Sequence, residues 1–185
     1  MRNVRHTDVS HPASLARGAD RTLLGRPTAE CAVCAAPRSL PAVRAPLPKD
    51  EFDRIFSRVP RLTVEVVIAS PQRGVLLSLR DIEPCKGMWH LPGGTVRFGE
   101  PLVDAAARVA RDELGLTVDV GEMLGYIEYP SHYENGLDCP VGVAFAAHTG
   151  AADPPPEGCE WFQALPLNMH DEQVDFLAEH LGLGR

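Results

Sequence analysis

The sequence predicts an α+β fold around a mixed β-sheet, on three observations. From residue 62 onward the chain carries many short β-branched or apolar runs but few helical patterns. Those strands do not alternate regularly with helices, as a doubly wound fold requires. The 185 residues, 44% hydrophobic and 23% charged, are enough for about one domain with a real core. No internal repeat interrupts this picture.

The elements follow in order. Asp50 is expected to cap a short helix at 51–58, with Phe52, Ile55 and Phe56 on its apolar side and Pro60 as its stop. Leu62–Ala69 (LTVEVVIA) is β-branched and apolar apart from Glu65, so it reads as a strand. Gln72, Arg73 and Gly74 form a hairpin turn into a second strand, Val75–Leu79. After a loop, Met88–Leu91 is a short strand that runs into Pro92, Gly93 and Gly94. Residues 101–114 (PLVDAAARVARDEL) are the strongest helix, with Pro101 suited to the first helical position and Gly115 to the stop. Strands are expected at Val118–Val120, Met123–Tyr129, Val141–His148 and around Trp161, with a loop at 130–138 and a closing helix at Asp171–Leu181.

Charge divides the chain. Residues 1–50 hold eight basic residues against four acidic ones (+4), and residues 51–185 hold ten against 21 (−11), which together make the net −7. Residues 1–46, rich in Arg, Ala, Pro and Ser, bury too little apolar surface to offset chain entropy and are expected to be a disordered basic tail. Residues 47–185 form the domain. An acidic total argues against a nucleic-acid binder, because phosphate backbones reward positive fields. No apolar run approaches the roughly 18 residues of a bilayer span, so no membrane partner is expected. The tail also lacks the ~7–15-residue apolar stretch of a secretory signal, and cytoplasm is the expected compartment. Cys31 and Cys34 form one C-x-x-C with no second ligand pair, so the five cysteines are expected to be free thiols.

The chemistry concentrates at 93–116. Gly93 and Gly94 let the backbone approach a ligand or metal without a side chain in the way. The following helix carries Val109, Asp112 and Glu113 at i, i+3 and i+4, on one face. Two carboxylates beside a glycine turn make a hard oxygen site suited to Mg²⁺ or Mn²⁺. Arg108 lies one turn before Asp112 and can pair with it or with Glu100.

Gly94, then Glu100, Arg108, Asp112, Glu113, Gly115 and Leu116 follow a spacing that resembles the Nudix box, G-x5-E-x7-R-E-U-x-E-E-x-G-U, over 23 positions. The resemblance implies an α/β/α sandwich with a mixed sheet and metal-dependent hydrolysis of a nucleoside diphosphate linked to another group. It implies that Glu113 and Asp112 match the metal-binding carboxylates, and that Glu100 and Arg108 match the pair fixing the loop against the helix. Gly94 and Gly115 match the structural glycines of the box. Val109 stands where the box has Glu, so fewer ions are expected to bind.

That aliphatic residue makes the chain most similar to the GDP-mannose mannosyl hydrolase branch, over about 48–180. In that branch a backbone carbonyl matching Gly93 and the Glu matching Glu113 hold the metal. An arginine matching Arg80 contacts the diphosphate, the arginine matching Arg108 is functional, and an acidic residue matching Glu65 faces the substrate. The branch attacks the sugar carbon, whereas an ordinary Nudix pyrophosphohydrolase attacks phosphorus. A non-catalytic Nudix-fold nucleotide-binding protein is the reading from another class, motivated by Val109 and a missing base. The branch's general base, a His shortly before a Trp, is replaced by Pro156 here, and an arginine after the two glycines by Thr95. Substitute bases are Glu157, Glu160 and His132, in that order, since Glu157 lies in a Pro/Gly loop able to lean over a site. Tyr133, with Asn135, is available in loop 130–138 to a sugar or base. In the branch a helix like 51–58 pairs with a second subunit, which makes a homodimer one expectation.

Overall fold

A computed structural model describes residues 46–150 and 154–185. The expected tail and the Cys31–Cys34 pair lie outside the described residues. The elements are α1 (Lys49–Phe56), β1 (Arg61–Ser70), β2 (Gly74–Leu79), β3 (Trp89–His90), β4 (Gly93–Thr95) and α2 (Leu102–Leu114). After these come β5 (Asp119–Glu128), α3 (Pro130–Glu134), β6 (Pro140–His148), β7 (Cys159–Phe162) and α4 (Asp171–Leu181).

The sheet is mixed, as expected, and β1 is its axis. All but its last two residues run parallel to β6, from Arg61 opposite Pro140 to Ile68 opposite Ala147. The far side of β6 carries β5 antiparallel. On its other side β1 is shared: its first half pairs with β4, Glu65 opposite Gly93, and its last residues turn into β2. β3 and β7 flank β2.

Strand alternation then sorts the core into two layers. Val64, Val66 and Ile68 of β1, Leu76 of β2 and Phe145 and Ala147 of β6 pack against Ala105, Ala106, Val109 and Ala110 of α2. Val67, Leu77 and Ala144, one step out of phase, pack with Phe176 and Leu177 of α4. The expected α/β/α sandwich is therefore realised. Among the described residues no helix is long and apolar enough to cross a membrane.

Five local expectations are corrected. α1 starts at Lys49 with Pro48 at its N-cap, so Asp50 occupies the first turn rather than the cap, where its charge still favours the positive helix end. Pro101 is likewise the N-cap of α2, in an extended conformation, and not its first helical residue. Gly93–Thr95 is a strand because β1 supplies its partners, although glycine disfavours strands by itself. The two short strands expected within 118–129 are one, β5, with register shifts between Val120 and Gly125. The loop 130–138 contains the one-turn helix α3.

Leu76 and Leu77 are both fully buried, on opposite faces. Replacing either with Ala should therefore cost about 2–5 kcal/mol, read as a lowered urea midpoint.

Candidate active site

The site is assembled where α2 meets β4. α2 offers the sheet a face of small residues, Ala105, Ala106 and Ala110, all fully buried, so its axis comes close. Gly94 allows the closest contact: a Cβ there would stand 2.9 Å from a methyl of Val109. Val109 is itself buried, so it belongs to the core layer while Asp112 and Glu113 of the same helix are exposed. Gly115, with φ +65°, ends α2, and the next amides return to Ala110 and Arg111.

This packing carries Glu113 to the glycine strand, where its Oε2 accepts the Gly93 N–H at 3.2 Å. Surrounding protein raises its carboxyl to about 7, against the pull of the Gly93 amide, Arg80 and Arg108. Glu113 and the Gly93 carbonyl are oxygen donors of the hard type, and the Gly93 N–H hydrogen bond holds the carboxylate beside that backbone. These residues fit a divalent cation of the Mg²⁺ type. Asp112, the neighbouring carboxylate, also has arginines about it, with Oδ2 3.9 Å from Arg108 and 4.0 Å from Arg97 and Oδ1 3.6 Å from Arg111.

Glu100 and Arg108 pair in two-pronged fashion, Nε to Oε1 at 2.6 Å and Nη2 to Oε2 at 2.9 Å. Glu100 also accepts the Arg97 N–H at 2.9 Å, and Arg108 reaches the Thr95 carbonyl at 3.1 Å. The loop between β4 and α2 is thus tied to the helix at both ends. The Arg108 hydrogen bonds hold the Glu100 carboxyl below its ordinary value.

A cleft of about 680 Å³ opens beside β4. Glu65 and Arg80 line it together with Gly93 and Gly94. Glu65 is 6% exposed and occupies space that two glycines vacate: Cβ atoms at Gly93 and Gly142 would come within 2.1 and 2.6 Å of its oxygens. Burial pushes its carboxyl up to about 8, although the Thr63 and Tyr129 hydroxyls donate to it. Tyr129 in turn accepts from Gln173 at 2.9 Å.

Glu157 and Tyr133 are not brought into this cleft. Glu157 is exposed on the turn before β7, Glu160 is exposed on β7 itself, and Tyr133 is 55% exposed on α3. Neither Glu157 nor Tyr133 is among the lining residues, whereas His132 is.

Sequence reasoning missed several lining groups. Arg61 of β1 reaches the Thr95 hydroxyl at 3.0 Å, which brings a guanidinium beside the glycine strand. Arg61 also donates to Asp138, whose other oxygen meets His132 Nδ1 at 3.1 Å. Burial works against the Asp138 carboxylate, yet His132 and Arg61 outweigh it and hold the group well below its usual range. Arg61 and Asp138 are 77 residues apart, and no local spacing announces such a pair. Gly142 was equally silent, although a glycine inside an apolar strand is a signal of close approach.

The NUDIX domain model matches residues 59–179, and the chain belongs to that family. The chain is 45% identical over 94 residues, half of its length, to the low-salt glycan biosynthesis protein Agl8 of Haloferax volcanii, of which the match covers 60%. It is 34% identical over 77 residues, 42% of its length, to an ADP-ribose pyrophosphatase of Methanocaldococcus jannaschii, of which the match covers 45%. The chain thus spans less than two thirds of these relatives. Among solved structures, a MutT protein of Methanosarcina mazei Go1 superposes with a TM-score of 0.57 at 21% identity, covering 66% of this chain and 94% of that one. A MutT NUDIX hydrolase of Burkholderia pseudomallei gives 0.55 at 27% identity, with 66% and 98% covered.

The Glu100–Arg108 pair sets a pH signature. A carboxyl held below its ordinary 4.5 stabilises the fold above that value and loses the contribution as pH falls through the folded value. Glu100→Gln should therefore cost about 2–4 kcal/mol near neutrality, because Arg108 is left without its counter-charge. The gap between the urea midpoints of wild type and variant should narrow as pH drops below 4.5.

Proposed function

We propose that the protein is a divalent-metal-dependent hydrolase of a nucleoside diphosphate-linked compound, with a nucleotide-sugar of the GDP-mannose type as substrate. The observation that carries this reading is the meeting of Glu113 with the backbone of Gly93, a residue that lines the same cleft as Arg61 and Arg80. Glu113, with Asp112 and the Gly93 carbonyl as further donors, would hold Mg²⁺ or Mn²⁺ there, and the ion would neutralise diphosphate charge and lower the pKa of water. Arg80 and Arg61 supply guanidinium groups shaped for the leaving diphosphate. Arg108 holds Glu100 and so keeps the glycine strand and α2 in fixed relation. Glu65, mostly protonated at neutral pH, offers a hydrogen bond to a substrate oxygen inside the cleft. The glycan-biosynthesis relative supports a sugar-linked substrate.

A second reading, attack at phosphorus, is favoured by the places of Glu157 and Glu160. Both are exposed, and of the three substitute bases His132 alone lines the cleft. The ADP-ribose pyrophosphatase relative agrees with that alternative. The same overall proposal carries the cytoplasm as compartment and a homodimer formed through α1.

Hydrolysis of a nucleotide-sugar panel with Mg²⁺ in ¹⁸O-labelled water tests the reading. Label in the released sugar establishes carbon attack, and label in the phosphate establishes the second reading. Glu113→Gln should lower kcat by at least about 100-fold without unfolding the protein. If it leaves every detectable turnover unchanged, the enzyme proposal fails and the non-catalytic binding protein stands. Arg80→Ala should raise KM by roughly 10–100-fold through loss of a charged hydrogen bond, measured by steady-state kinetics.

A further inference from the structure

Three side chains far apart in the sequence converge in the wall of the same cleft. Cys85 comes from the loop between β2 and β3, His132 from α3, and His170 from the residue preceding α4. One ligand atom from each lies within 4.8 Å of both others. A tetrahedral ion with thiolate and imidazole ligands at about 2.0–2.3 Å holds its donors roughly 3.3–3.8 Å apart, so binding would draw the three atoms together by up to about 1–1.5 Å. Glu113 and Gly93 are not part of this trio, and its chemistry differs from theirs. Sulfur and imidazole nitrogen suit Zn²⁺ and its transition-metal neighbours, whereas carboxylate and carbonyl oxygens suit Mg²⁺.

The two histidines are prepared as ligands, whereas burial raises the Cys85 thiol, so an ion bound there would have to displace its proton. His132 engages Asp138 through Nδ1 at 3.1 Å, which leaves Nε2 as the ligating nitrogen. A carboxylate behind a histidine is the arrangement that fixes tautomer and ring orientation at metal sites. Arg61 donates to the same Asp138 and holds it in place. His170 is held towards its neutral, ligating form by burial and by His132. Among the described residues neither ring nitrogen of His170 has a hydrogen-bond partner. Cys85 stands in the left-handed region, φ +69°, where a residue with a side chain is strained. Such strain persists where the surroundings enforce it, and here it accompanies a thiol in the cleft wall. The loop bearing Cys85 is secured by Gly87 N–H to Arg80 O at 2.8 Å and Met88 N–H to Cys85 O at 3.1 Å.

We infer that Cys85, His132 and His170 form a second metal site, for Zn²⁺ or a kindred transition ion, with one coordination position left open. The site stands on its own geometry and not on the hydrolase proposal. One consequence does rest on that proposal: an ion bound here occupies His132 and removes it from proton transfer.

The test uses the full chain with Cys31→Ser and Cys34→Ser, so that the C-x-x-C of the first segment is not a competing thiol site. Titration with Co²⁺ in the presence of excess Mg²⁺ should give one equivalent bound. The complex should show thiolate-to-cobalt charge transfer and the strong visible absorption of a tetrahedral site, and Zn²⁺ should abolish both. Cys85→Ser should lose the charge-transfer band while keeping its far-UV circular dichroism and urea midpoint. His170→Gln should weaken binding by about 100-fold or more, and Asp138→Asn by roughly 10–100-fold through the orientation of His132. Absence of a thiolate band in the starting protein overturns the inference. So does a band that survives Cys85→Ser, or displacement of the cobalt by Mg²⁺, which would place it at Glu113. Should Cys85→Ser fail to fold, His170→Gln in the folded protein decides by the same two readouts.

Discussion

The closeness of α2 to the glycine strand is the constraint on which the rest of the site depends. A methyl group at Gly94 would press on Val109, 2.9 Å from its Cγ2, so one of the two would have to shift. With the helix at this distance, Glu113 meets the Gly93 amide and Arg108 meets Glu100 across the intervening loop. A longer side chain at either position would lift α2 from the sheet and separate the carboxylate from the backbone it addresses. The aliphatic residue that reduces the carboxylate count of the box is thus also the packing partner that fixes the geometry of those remaining.

Electrostatics follow from that placement. The 51–185 segment is strongly acidic, yet its cleft receives Arg61 and Arg80, and α2 keeps Arg108 and Arg97 close to Asp112. The negative groups nearest the glycine strand are tempered in two ways. Glu100 is neutralised by a two-pronged arginine, and Glu65 is driven by burial to hold its proton. An acidic protein can therefore present a cleft that tolerates polyanions.

Much of this was legible in the sequence, because local spacing encodes local geometry. The helix that follows Pro101 and its stop at Gly115 could be read from an initial proline and a terminal glycine, and the strands from β-branched runs. What escaped was set by partners distant along the chain. Gly93–Thr95 is a strand only because Thr63–Glu65 lies beside it. Arg61 finds Asp138, and Cys85 finds His132 and His170, across separations that leave no periodic trace. Pro48 and Pro101 end up as caps, a shift of one or two positions that sequence patterns resolve poorly.

The alternation of β1 has one more consequence, for the fidelity of folding. Glu65 is the lone charged residue between Val64 and Ile68, and the glycines that make room for it stand only on the strands at its two sides in this pairing. Sliding β1 by one position would drive the carboxyl into the layer filled by Val109 and Phe145, far from any hydroxyl, and would leave Val64 or Val66 facing the glycine hollow. An all-valine strand would carry no such penalty and could settle in either phase. The group that lines the cleft is then also the group that makes a misaligned sheet expensive.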